Sequence, residues 1–91
     1  MSYKVNAVVT DKFPTENITD RFSKRVIWIK TDEQYPQVWE VQFANQNIDL
    51  LDNIEVNDKV EIQFGIQGKK SDKNGNERIF NSINGFGIRK L

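Results

Sequence analysis

Apolar and polar residues alternate along most of this chain, and the alternation divides it into strands. Val60, Ile62, Phe64 and Ile66 interleave with Glu61, Gln63, Gly65 and Gln67, the period-two pattern of a strand with one buried face. It predicts a strand over residues 59–67. Residues 3–13 read the same way, with Tyr3, Val5, Ala7 and Val9 on one face and Lys4, Asn6, Val8, Thr10 and Lys12 on the other, until Phe13-Pro14 breaks the pattern and a polar loop follows. Residues 22–31 form a second strand with two unlike faces. Ile27 and Ile29 point one way, while Phe22, Lys24, Val26, Trp28 and Lys30 point the other. After a turn at residues 32–36, Trp39, Val41 and Phe43 alternate with Glu40 and Gln42 in a third strand, which makes Trp39 a core residue.

Two segments depart from simple alternation. Residues 46–53 are predicted as the one helix, with Asn45 or Asn47 as N-cap and Ile48, Leu51 and Ile54 as its apolar stripe. It is short enough to serve only as a plug for a barrel. In the last strand Ile79 and Ile83 share one parity and Phe86 and Ile88 the other. A bulge near Asn84-Gly85 would bring all four to the core and leave Phe80 outside with Arg78 and Ser82. Between the last two strands the run SDKNGN, residues 71–76, reads as a long polar loop with Asn74-Gly75 at its tip.

Composition narrows the function classes. Ninety-one residues of uniform texture make one domain, residues 1–91. The chain has no Cys and no His. Disulfides, thiolate chemistry, imidazole ligands and Ser-His or Cys-His nucleophiles are therefore excluded, which argues against an enzyme, a metal site or a cofactor. The acidic residues Asp49, Asp52, Glu55 and Asp58 lack the glycine and spacing of a calcium loop and read as a solvated face. No apolar run approaches a membrane span, and the amino terminus enters a strand without a signal-peptide layout. A cytoplasmic protein with no membrane partner is expected, and the Asn17-Ile18-Thr19 sequon is then coincidental.

Formal net charge is zero, but it is unevenly spread. Residues 1–30 carry six basic against three acidic side chains, residues 31–68 one against eight, and residues 69–91 six against two. Lys69, Lys70, Lys73 and Arg78 crowd the last hairpin. A charge run is ordinarily a solvated face. It becomes a binding surface only if the two basic segments meet in space. Trp28 is open to two readings: a stacking platform for a base, flanked on its face by Val26 and Lys30, or a core or subunit contact.

Three strands, a short helix and two further strands are the layout of the OB-fold, so the expected fold class is all-β: a five-stranded Greek-key barrel with the helix between its third and fourth strands. The run VNDKVEIQFGIQGKKSDKNGNERIFNSINGFGI resembles the hairpin of bacterial and phage single-stranded-DNA-binding proteins, and TDEQYP before a strand is similar to a small uncharacterised bacterial and phage single-OB family. The resemblance covers roughly residues 4–88 and implies where a ligand would lie: across the second and third strands, between the loop after the first strand and the last hairpin. Carried over, it places Phe22, Lys24, Trp28 and Lys30 on the sheet, and Lys69, Lys70, Lys73, Arg78 and Phe80 on the hairpin, as nucleic-acid-binding residues. What it implies is sequence-tolerant binding of single-stranded DNA, with RNA as a competing ligand, by a homo-oligomer (dimer or tetramer) serving replication, recombination or repair in a bacterial or phage-infected cytosol. The sequence stops at Arg89-Lys90-Leu91, without the acidic tail typical of bacterial members, so recruitment of other proteins by such a tail is not expected. The rival expectation is a protein-interaction OB module, with Trp28, Val26 and Phe80 against another chain.

Overall fold

The computed structural model describes residues 2–91. Six strands and one short helix succeed one another: β1 (Tyr3–Lys12), β2 (Glu16–Thr19), β3 (Phe22–Thr31), β4 (Val38–Ala44), a 3-10 helix (Asn45–Leu51), β5 (Lys59–Lys73) and β6 (Asn76–Lys90). Hydrogen-bonded neighbours run β1-β5-β6-β4-β3-β2, and β1 also pairs with β3. The five long strands therefore close on themselves as an OB-fold barrel. Closure across β4 and β6 is parallel and brief, through Val41 opposite Ile83 and Gln42 opposite Asn84.

Most of the expected buried residues of β1, β3, β4 and β5 are found inside, while Tyr3 at the start of β1 is 46% exposed. Ala7 and Val9 from β1, Ile27 and Ile29 from β3, Val41 and Phe43 from β4, and Val60, Ile62 and Phe64 from β5 make one apolar cluster. Trp39 packs against its rim, half-buried, with its ring in T-shaped contact with Phe64 at 5.3 Å. Leu51 and Ile54 plug the base. The segment is a 3-10 helix rather than an α-helix, preceded by Ala44 with no side-chain cap. The spacing explains this: Ile48, Leu51 and Ile54 recur every third residue, the repeat that a three-residue turn places in one line. Lys12 holds the helix end, its Nζ donating to the carbonyl oxygens of Leu51 and Ile54 at 2.8 Å each.

The structure corrects four further expectations, besides the N-cap expected at Asn45 or Asn47. The polar loop after β1 contains β2, a four-residue edge strand paired with β3 and exposed throughout. With no buried face it has no apolar alternation to betray it. The SDKNGN run is not a long loop, because β5 and β6 stay paired as far as Lys73 and Asn76 and only Asn74 and Gly75 turn, both at positive φ (54° and 76°). Such a two-residue turn suits the right-handed twist of a hairpin.

The third and fourth corrections concern the last hairpin. A bulge is present where β6 was expected to need one, but the extra residue is Phe86, since Gln63 faces Gly87 while Phe64 faces Gly85. Ile88 thereby returns to the core side and Phe86 is left exposed. Gly85 faces inward, and a Cβ there would stand 2.3 Å from the Phe43 ring. Ile66 and Ile79 keep the core-side parity yet are 61% and 73% exposed. β1 begins at Tyr3, opposite Phe64, and the pairing with β4 ends at Ile83. Beyond those points, among the described residues, no strand pairs with the ribbon on either side. It projects as an arm, which lifts the radius of gyration to 14.2 Å from the roughly 12 Å expected of a compact chain of this length.

Candidate nucleic-acid interface

Strand pairing decides which of the suspected residues share a surface. In an antiparallel ladder directly opposed residues point to the same side of the sheet. On the outer side of β3, Lys24, Val26, Trp28 and Lys30 stand opposite Ala44, Gln42, Glu40 and Val38. Gln42 is in register with Asn84 and donates from Nε2 to Asn84 Oδ1 at 2.7 Å, and Asn84 Nδ2 donates to Ser82 Oγ at 3.3 Å. This hydrogen-bonded strip carries the outer surface across the barrel closure to β6. From Ser82 the same parity continues along the arm to Phe80, opposite Lys69, then Arg78, opposite Ser71, then Asn76, opposite Lys73.

Lys24, Trp28 and Lys30 therefore lie on one continuous outer face with Lys69, Lys73, Arg78 and Phe80. The two basic segments of the sequence thus share one side of the sheet. Phe22 stands at the far end of this face, opposite Thr19 of β2. Lys70 does not belong with the others. It faces Ile79 on the opposite side of the arm and is paired with Glu77 at 3.2 Å, because neighbouring residues of a strand point to opposite faces.

The two exposed aromatics are held differently. Phe80 is 56% exposed and borders open hollows on the arm lined by Lys69, Ser71, Lys73 and Arg78. Trp28 is 41% exposed and has a fixed orientation. The ring of Phe13 meets it edge-on at 4.8 Å, and its Nε1–H donates to Glu40 Oε2 at 3.2 Å. Beside it a hollow of about 330 Å3 is lined by Phe13, Pro14, Glu16, Lys24, Val26, Trp28 and Glu40.

Sequence pattern missed Phe13, Glu40 and the Gln42–Asn84–Ser82 strip. Phe13 sits at a break in alternation, and Glu40 is one more polar residue on an outer face. Their roles come from cross-strand pairing that no local pattern announces. Two cations of the basic amino-terminal segment prove to be structural instead: Lys12, already described, and Arg25, whose Nε donates to the Phe13 carbonyl at 2.6 Å. That bond anchors the loop on which Phe13 approaches Trp28.

The ionisable groups with shifted proton affinity lie around the start of β5. Asp58 is held below the usual carboxylate range chiefly by the backbone N–H of Glu55, which donates to it at 2.8 Å, and Glu61 chiefly by its hydrogen bond from Arg89 at 3.1 Å. Among the described residues no group of three or more Asp or Glu is placed to hold a metal ion, and no helix is long and apolar enough to cross a membrane.

Solved structures share this architecture over nearly the whole chain, among them the following. The mitochondrial single-stranded DNA binding protein Rim1 of S. cerevisiae superposes with a TM-score of 0.78 at 10% identity, covering 100% of this chain and 94% of that one. The N-terminal domain of PriB from Thermoanaerobacter tencongensis, described as dimeric, gives 0.71 at 10% identity with 99% and 94% covered. A small single-stranded DNA-binding protein of Streptomyces coelicolor gives 0.61 at 12% identity with 100% and 94% covered. No curated protein matches by sequence. The family model described as "Domain of unknown function (DUF3127)" matches residues 4–89.

Proposed function

The chain belongs to the DUF3127 family, and from that premise and its OB-fold we propose that it binds single-stranded DNA with little sequence preference and is not itself an enzyme. The observation that carries this reading is the continuous outer face joining Trp28 to Phe80, with Lys24, Lys30, Lys69, Lys73 and Arg78 distributed along it. Exposed aromatics are platforms for unpaired bases, whatever their identity, and cations between them neutralise the phosphates. Phe22 extends the same path at one end. Fold kinship with two proteins named for single-stranded DNA binding supports the reading, and the dimeric PriB domain supports a homo-oligomeric form. Its setting would be replication, recombination or repair in the cytoplasm, with RNA as a competing ligand.

The test is a titration with labelled oligo(dT) and with the matching duplex at several salt concentrations. With about 3 to 5 phosphates neutralised, log K falls against log salt with a slope of about −2 to −3.5 for the single strand. Trp28→Ala weakens binding by about 1–3 kcal/mol while leaving the barrel folded. Salt-independent binding, or preference for duplex, would remove the proposal. A protein-interaction module is the second reading, favoured by exposed Ile66 and Ile79 on the other face of the arm. Under it, oligonucleotides fail to bind and Trp28→Ala changes nothing in the titration.

A further inference from the structure

The hollow beside Trp28 differs from the rest of the outer face in one respect: it holds carboxylates. Along a path proposed for a polyanion, Glu40 is misplaced unless it meets something that donates. It stands at the edge of the Trp28 indole, whose Nε1–H occupies its Oε2, while its Oε1 has no hydrogen-bond partner among the described residues. Because Phe13 and Glu40 together fix the indole, a base stacked on it would lie beside that carboxylate, and the edge it turns there would be chosen by the donors it can offer. Lys24 lines the same hollow and offers a donor-only ammonium.

The four DNA bases answer this donor and acceptor arrangement unequally. An ionised carboxylate only accepts. Thymine offers it one N3–H flanked by two repelling carbonyls, and adenine and cytosine each offer an amino group beside an acceptor nitrogen. Guanine alone presents two adjacent donors, N1–H and N2–H2, followed by the acceptor O6. A carboxylate and an ammonium lining one hollow offer the complement of that edge. The volume of about 330 Å3 admits a purine with room to spare.

We propose that this hollow is a single-base subsite selective for guanine, in which Trp28 stacks on the ring, Glu40 accepts from N1–H and N2–H2, and Lys24 donates to O6. The inference rests on the single-stranded-DNA reading and refines it: the arm remains indifferent to sequence, and one position of the bound strand does not.

Fluorescence anisotropy with oligo(dT), and with the same oligonucleotide carrying one dG, one dA or one dC, tests this at constant salt. The dG oligonucleotide should bind about fivefold to tenfold more tightly than oligo(dT), the low range for a two-point contact to a base edge, with dA and dC within about twofold of dT. Glu40→Gln keeps an acceptor for the indole N–H but turns the second acceptor into a donor. It should erase the dG advantage and, by removing a negative charge, tighten binding of oligo(dT) slightly; circular dichroism checks that the variant is folded. Equal affinity for all four oligonucleotides overturns the subsite and leaves the general DNA reading standing. A dG advantage that survives in Glu40→Gln overturns the role of Glu40. Failure of every oligonucleotide to bind overturns both readings together.

Discussion

β5 and β6 are each 15 residues long, and halfway along them one and the same alternation changes its meaning. In the barrel half, Val60, Ile62 and Phe64 are buried, Phe64 to 6% exposure. In the arm half, Ile66 and Ile79 occupy the same side of the same ribbon in open solvent. The alternation along β5 itself runs on through Gly65. What changes is that β1 no longer flanks β5 and β4 no longer flanks β6. Alternation assigns a residue to a face, but burial requires a second layer over that face. A two-stranded ribbon alone is marginally stable, so the barrel end of the hairpin anchors the arm.

The largest expected contrast comes from truncating one side chain in each region. Phe43→Ala empties the centre of the barrel and should cost about 3–5 kcal/mol of folding stability, whereas Ile79→Ala on the arm should stay within about 0.5 kcal/mol. Denaturant unfolding of the two variants measures both. A cost at Ile79 approaching that at Phe43 would mean that a second layer covers the arm in solution, and the comparison would fail.

Glycines sharpen the same boundary at smaller scale. Gly85→Ala puts a methyl 2.3 Å from the Phe43 ring, overpacking that should cost about 1–3 kcal/mol. Gly68→Ala, on the arm, meets only the side-chain oxygen of Asn81 at 3.2 Å. That side chain is exposed and free to swing aside, so the change should stay below about 1 kcal/mol. Thermal melts of the pair suffice, and a similar cost at both positions would place the arm under barrel-like packing.

The smallest effect is electrostatic and belongs to the barrel. Asp58 and Glu61 titrate below their ordinary range in the folded state. A carboxylate with a depressed folded value adds stability above its unfolded value, near pH 4, and loses it as pH falls further. Wild-type melting temperature should therefore drop through this acid window more steeply than that of an Asp58→Asn, Glu61→Gln variant. Parallel acid limbs would show that the Glu55 N–H and Arg89 contacts contribute nothing to folding.

Much of this molecule was legible in its residue pattern, for identifiable reasons. Period-two alternation marks a strand wherever one face is buried, so the four core strands and the opposed faces of β3 could be read directly. The three-residue spacing of Ile48, Leu51 and Ile54 agrees with the 3-10 repeat, although the expected cap at Asn45 or Asn47 is not found. Gly85, between residues of conflicting parity, announced a bulge close to its true place. β2 escaped because an exposed edge strand buries nothing and so leaves no apolar trace.

What the sequence determined by itself was the faces: apolar residues seek one side of each strand because water rejects them, whatever lies opposite. Which faces are covered, and which residues from distant strands stand side by side, was decided only by the tertiary structure. Strand neighbours are set by closure of the barrel, which brings Asn84 to Gln42 and so joins Trp28 to the arm. The same closure stops short of Ile66 and Ile79. It also separates Lys70 from Lys69 and Lys73, since a pleated strand sends adjacent side chains to opposite sides. Position in the chain places these lysines together; the pleat and the pairing decide which of them can touch the same ligand.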